Sequence, residues 1–327
     1  MTRPNIDQVI AEGNLFEAWL KVLENQGCAG CDGETLEDFG NALSRNLVTL
    51  ENEVRYRTYR PQALLRFAID KDSASQRPLS IPAVRDRVLQ TAVTRVLTPV
   101  FEAEFEDCSY AYRKGRSVDQ AVRRVIRLRD EGYGWVVDAD IHRFFDEIDH
   151  DLLMRRVETL VGDQSILHLI RLWLEADVID GGQRFRLTKG VPQGSPLSPL
   201  LSNLYLDHLD DSLLKRDLRL VRFADDFLIL CKSQSRAEDA LEITEEVLDR
   251  LKLKINRDKT SVLDFNRGFR FLGVEFIRSL AIKSQYPRPA AIDFGGIKEQ
   301  RHSGMDCRNP EAMDGKPRLR PCTLDVG

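Results

Sequence analysis

Two apolar runs joined through adjacent aspartates, LVRFADDFLILC at Leu220–Cys231, constrain this chain more than any other segment. Each run has strand length, and the short step between them suits a tight hairpin. Adjacent residues of a regular strand point to opposite faces, so Asp225 and Asp226 can serve one site only at a bend. A hairpin tip supplies that bend. Neighbouring carboxylates between apolar runs are costly to bury unless cations offset them. A second strand candidate, WVVDADI, ends with Asp140 near its tip. Three carboxylates converging at strand ends offer the hard oxygen ligands that two Mg2+ ions need, with positions left open for phosphate oxygens and water. Such ions, about 3.5–4 Å apart, stabilise both the attacking and the leaving oxygen of an in-line displacement. The plainer alternative is a pair of turn aspartates beside a solvated strand end.

The rest of the chain reads as alternating helices and strands. Leu15, Trp19, Val22 and Leu23 mark one amphipathic helix; Leu36, Phe39, Leu43, Leu47 and Leu50 mark another beyond the glycine-rich break at 27–33. LRFAID and RPLSIP predict a hairpin around the polar loop 71–76. Helices are expected near 84–100, 148–160 and 237–251, and FRFLGVEFI reads as a further strand. VPQGSPLSPLLSNLYLD begins with rigid X-Pro steps, and Gly194 allows close backbone approach to a ligand. A helix is expected from Ser198, with Ser198 as N-cap and Pro199 at its first position. His142 and His150 read as surface residues.

At 42% hydrophobic and 31% charged, this is the composition of a folded globular chain. No run approaches the roughly 18 apolar residues of a membrane span, and the N-terminus lacks a signal-peptide core. Six irregularly spaced cysteines make no disulfide framework, and Cys28 and Cys31 form a lone CxxC, so a reducing cytoplasm is the expected setting. A net charge of -4 would oppose a polyanionic partner if it were evenly spread. It is not. Residues 113–129 hold seven Lys/Arg, among them Arg113, Lys114, Arg116 and Arg123, against Asp119 alone. RYRTYR interleaves Arg55, Arg57 and Arg60 with Tyr56 and Tyr59, suited to phosphates and base faces. Solvated helix faces are the bland alternative.

In order along residues 10–278 come GCAGCDGETLEDF, TYRPQ, RPLSIPAVRDRVLQTAV, SYAYRKGRS, DADIHRFFDEIDH, PQGSPLSPLLSN, FADD, INRDKT and FRFLGVEF. This series resembles the reverse transcriptases of the group II intron and CRISPR-associated (Cas1-linked) branch. The resemblance implies an α/β (α+β) right-hand polymerase, with a palm of antiparallel sheet backed by helices. Fingers are expected at 1–85, palm with interleaved fingers elements at 86–278, and an irregular tail at 279–327 in place of a full thumb. It assigns Asp140, Asp225 and Asp226, with the carbonyl of Ile141, to two Mg2+ ions, for which Mn2+ is a substitute. Lys259 matches a general acid for the leaving pyrophosphate, Phe145 the gate that rejects a 2′-hydroxyl, and Lys71 and Arg77 the triphosphate grip. Gln193, beside Gly194, matches a contact to the incoming nucleotide, and Leu272 and Gly273 the block that positions the primer end.

The implied reaction extends a DNA or RNA primer on an RNA template with dNTPs. Three features favour the CRISPR-associated subgroup, serving spacer acquisition from RNA: the short stretch between LYLDHLD and RFADD, an end soon after FLGVEF, and no following HNH domain. Cas1–Cas2, or another protein supplying a thumb-like clamp, is then the expected partner. The alternatives are retromobility of a group II intron, RNA-templated RNA synthesis, and a non-catalytic nucleic-acid-binding subunit.

Overall fold

The computed structural model of the chain describes residues 3–72 and 75–283, without the side chains of 69–77. Short polar residues start several of its helices. Asn5 and Gln8 form a reciprocal capping box at α1 (Ile6–Ile10), which leads into α2 (Glu12–Glu24). Thr35 and Asp38 form another at α3 (Leu36–Asn41), followed by α4 (Leu43–Arg55). A hairpin of β1 (Leu64–Asp72) and β2 (Ser75–Ile81) then precedes α5 (Val84–Glu102). Val88, Leu89, Ala92, Val93 and Leu97 of α5 are fully buried, in one core with Leu15, Trp19 and Val22 of α2. Leu23, expected in that stripe, is instead exposed, because it falls at the edge of the buried face of α2.

The middle of the chain runs α6 (Val118–Asp130), β3 (Trp135–Asp140), α7 (Phe144–Glu147), α8 (His150–Leu160) and α9 (Gln164–Leu174). A hairpin of β4 (Asp177–Asp180) and β5 (Gln183–Arg186) then leads to α10 (Ser198–Leu214). Next come β6 (Arg219–Phe223), β7 (Asp226–Cys231) and α11 (Gln234–Arg250). The described part closes with β8 (Ser261–Asp264), β9 (Phe269–Phe271), β10 (Val274–Ile277) and β11 (Leu280–Lys283).

Among the described residues the strands form three sheets, ordered β2-β1-β4-β5, β6-β7-β3-β8 and β11-β10-β9. The first is mixed, since β1 pairs antiparallel with β2 but parallel with β4. The second is wholly antiparallel and is apolar on both faces. Val137, Ala139, Phe227 and Ile229 join the core that holds α10 and α11, while Val136, Leu228 and Leu230 join Ala121, Val125 and Leu128 of α6. The strand period of two sorts these side chains. This is the expected mixed α/β fold with antiparallel sheets and backing helices.

Several details differ from the sequence reading. FRFLGVEFI is a hairpin rather than one strand: β9 and β10 pair around Leu272 and Gly273, both at positive φ (+50° and +77°). Positive φ at both central residues fits the twist of a two-residue hairpin. Helix α10 is capped at Leu197, one residue early, because the Ser198 hydroxyl donates to the carbonyl of Pro192 (2.8 Å). The strands β4 and β5 had no counterpart in the reading. Of the tail expected at 279–327, residues 280–283 form β11; the remainder, and with it the question of a thumb, lies outside the described residues.

Candidate active site

Strands β6 and β7 close at Phe223 opposite Asp226, leaving Ala224 and Asp225 as the turn. Ala224 has φ +61°, a left-handed conformation that costs an L residue roughly 1–2 kcal/mol. Strand β7 also pairs with β3, in a register that sets Asp140 directly opposite Asp226. Opposed residues of an antiparallel pair share a face, so the two carboxylates stand side by side with Asp225 on the adjoining turn. Like charges directly opposite destabilise a sheet. Oxygen donors in this placement suit a hard divalent cation, which would offset that repulsion. Among the described residues, no three His, Cys, Asp or Glu side chains are gathered closely enough to enclose an ion.

A turn after α11 wraps the end of β3. The Asn256 amide N–H donates to the Asp140 carbonyl (2.8 Å), and its side-chain nitrogen donates to Asp140 Oδ2 (3.2 Å). Lys259 Nζ lies 3.5 Å from the same oxygen, and the Asp140 N–H donates to the Thr260 hydroxyl (3.4 Å). Ile141 is buried and bridges to Ile255, which carries the pairing one residue past Asp140. Lys259, the residue matched to a general acid, therefore sits beside Asp140. Asn256 and Thr260 were missed, although the block INRDKT contains both.

The PQG segment is held from two sides. Val191 N–H donates to the Phe145 carbonyl (2.7 Å), and Ser80 N–H of β2 donates to the Gln193 carbonyl (2.7 Å). Phe145 is half-buried, its ring edge-on to Phe144 at 5.2 Å between centroids. Gly194 has φ +117°, and a Cβ there would lie 2.7 Å from the Ser80 carbonyl oxygen, so its backbone packs closely against β2. Beside this segment a groove of about 250 Å³ is lined by Arg66, Arg143, Phe185, Lys189 and Gln193. Lys71 and Arg77 fall on the β1–β2 hairpin, where side chains lie outside the described residues.

The basic stretch divides. Lys114 and Arg123 are exposed, and Arg116 is partly covered, paired with Asp107 (2.5 Å) and lying over the Tyr110 ring. Arg113 is not a surface contact. Its side chain is 4% exposed, bonded to Glu102 (2.7 Å) and to the carbonyls of Glu106 and Ser109 (2.6 and 2.9 Å). Tyr59 is likewise buried, donating to Asp86 Oδ1 (2.6 Å), whereas Tyr56, Arg55 and Arg57 are exposed. His150 is buried against the Gly190 carbonyl (2.7 Å), contrary to expectation. Leu272 and Gly273 occupy the β9–β10 turn. No helix among the described residues is long and apolar enough to cross a membrane.

The model of the family "Reverse transcriptase (RNA-dependent DNA polymerase)" matches residues 69–276, well over half the chain. Protein YkfC of Escherichia coli K12 is 32% identical, over 86% of this chain and 86% of its own length. The group II intron-encoded protein LtrA of Lactococcus lactis is 26% identical over 80% of this chain, which spans only 54% of LtrA. A telomerase structure from Candida albicans shares the fold at 14% identity, with a TM-score of 0.52 over 74% of this chain and 48% of that one. The chain belongs to the reverse transcriptases, RNA-directed DNA polymerases that bind nucleic acid. Within them it is of the group II intron-like type.

Proposed function

We propose that this chain extends a DNA or RNA primer on an RNA template, joining the primer 3′-hydroxyl to the α-phosphate of a dNTP. The observation that carries the reading is the register of Asp140 opposite Asp226, with Asp225 on the same turn. Those three carboxylates, with the Ile141 carbonyl, would hold two Mg2+ ions, or Mn2+ in their place. Divalent cations supply charge stabilisation of the attacking and leaving oxygens.

The protein's own groups divide the remaining work. Lys259, beside Asp140, would act as general acid toward the departing pyrophosphate. Phe145, fixed through its carbonyl to Val191, presents a half-buried ring as the sugar gate. Gln193 contacts the incoming nucleotide, while Lys71 and Arg77 reach its triphosphate from the hairpin. Lys114, Arg116 and Arg123, together with Arg55 and Arg57, meet nucleic-acid phosphates; Leu272 and Gly273 position the primer end. Residues 1–85 act as fingers, 86–278 as palm with interleaved fingers elements, and 279–327 as a tail.

The narrower reading is a CRISPR-associated enzyme that captures spacers from RNA in the cytoplasm, with Cas1–Cas2 or another clamp-supplying protein as partner. The short connection between α10, ending at Leu214, and β6, beginning at Arg219, supports it over an intron-mobility protein. Primer extension on an RNA template, with Asp225→Ala/Asp226→Ala as control, tests the activity. Mg2+-dependent dNTP incorporation by wild type alone is expected; no synthesis by wild type would leave a binding subunit, and a preference for NTPs would overturn DNA synthesis. Capture of Cas1–Cas2 in defined mixtures tests the subtype, and stimulation by a group II intron RNA instead would overturn it.

A further inference from the structure

Arg222 is the largest fully buried side chain in the molecule's described part, two residues before the carboxylate turn. Its Nε and Nη2 donate to the two oxygens of Asp210 at 2.7 and 2.6 Å, a bidentate pair with neither side chain exposed. Its Nη1 donates both to Asn203 Oδ1 and to the carbonyl of Ala224, each at 3.0 Å. Asn203 and Asp210 lie two turns apart on one face of α10, so a single helix presents both acceptors. Asn203 is in turn fixed by donating to the Ala111 carbonyl (2.8 Å). The Arg222 backbone is clamped as well. Its N–H donates to Cys108 (2.8 Å) and its carbonyl accepts from Tyr110 (2.9 Å). Arg113 gathers the carbonyls of the loop that carries Cys108 and Ser109.

We propose that Arg222, with Asp210 and Asn203, is a positioning device that holds Ala224 in its left-handed conformation and so aims Asp225 and Asp226. The guanidinium touches no substrate; it acts through the one carbonyl at the head of the turn. Only the planar fork of arginine can serve Asp210 and still reach Ala224 with its remaining nitrogen. The inference rests on the reading that these aspartates bind divalent metal.

The test replaces the ion pair by apolar residues of similar size, Arg222→Met/Asp210→Leu, a type of exchange that buried pairs often tolerate without loss of stability. Mn2+ binding to the full chain, followed by electron paramagnetic resonance without substrates, should weaken roughly 10–100-fold, as for loss of other outer partners of metal ligands. The kcat should fall by a similar factor while KM for dNTP stays near the wild-type value. Adding Ala224→Gly should restore part of the binding, because glycine adopts this φ without strain. A folded double variant with wild-type Mn2+ binding and kcat overturns the proposal. If that variant lacks a cooperative unfolding transition, Arg222→Lys, which keeps a cation beside Asp210, is read by the same results. A wild type that binds no Mn2+ overturns both this inference and the metal reading; one that binds Mn2+ without synthesis overturns the proposed reaction alone.

Discussion

Replacing Gly194 by alanine separates a packing role from a ligand role at the PQG segment. Its φ of +117° is one that L residues rarely adopt, a strain of roughly 1–3 kcal/mol. The new methyl would also meet the Ser80 carbonyl oxygen at 2.7 Å and Leu79 Cδ1 at 3.1 Å. The Ser80 backbone cannot retreat freely, because its N–H is bonded to Gln193. Overpacking of this kind costs about 1–3 kcal/mol. Relief of one strain eases the other, so the expected loss is about 3 kcal/mol, or roughly 4–5 °C in Tm for a chain of this size. Gly33→Ala is the control: φ is +74° there with nothing within 4 Å, and only backbone strain of about 1 kcal/mol applies. Thermal unfolding of the full chain measures both. KM for dNTP should rise in the Gly194 variant alone, since Gln193 shares its bond to β2. Equal losses at the two glycines would refute the steric argument.

Three further outcomes follow from where individual charges lie. Arg123→Ala should lower the salt slope of nucleic-acid binding by about one while leaving Tm unchanged. Arg113→Ala should leave that slope alone and cost about 3 kcal/mol, because Glu102 and several carbonyls lose their partner; a changed slope there would restore its surface role. Burial lifts the Asp86 carboxyl to about 6 from an ordinary 3.8, against the opposing hydrogen bonds from Tyr59 and Gln62. The native state then holds this proton where the unfolded chain has lost it. Stability is therefore greatest below pH 4 for this group and declines as pH rises through 6, by about 3 kcal/mol. Asp86→Asn should abolish that component in urea melts, and an unchanged pH slope would count against it.

What the sequence made legible was whatever a local pattern encodes. The aspartate doublet between apolar runs implied the β6–β7 turn, and the alternation in WVVDADI implied β3. The failures share a cause: a residue type reports its chemistry but not which long-range neighbour meets it. Arg113 belongs to a basic run, yet it turns inward because Glu102 and a loop of carbonyls lie beneath it. Arg222 reads as an ordinary polar strand position until α10 presents Asp210. Gly194 signalled a close approach, and only the fold shows β2 packed against it. The β4–β5 hairpin has short strands, with β5 exposed throughout, so it offered little periodicity to detect.

That hairpin bears on how the chain is made. Residues 64–66 of β1 take residues 178–180 of β4 as parallel partners. During synthesis β1 and β2 can pair as soon as they emerge, but the other edge of β1 stays open until β4 leaves the ribosome far downstream. Open strand edges template pairing with other chains. Translation pauses before β4 has emerged would thus lengthen the interval in which nascent copies can aggregate, whereas pauses after its emergence would find that edge already covered.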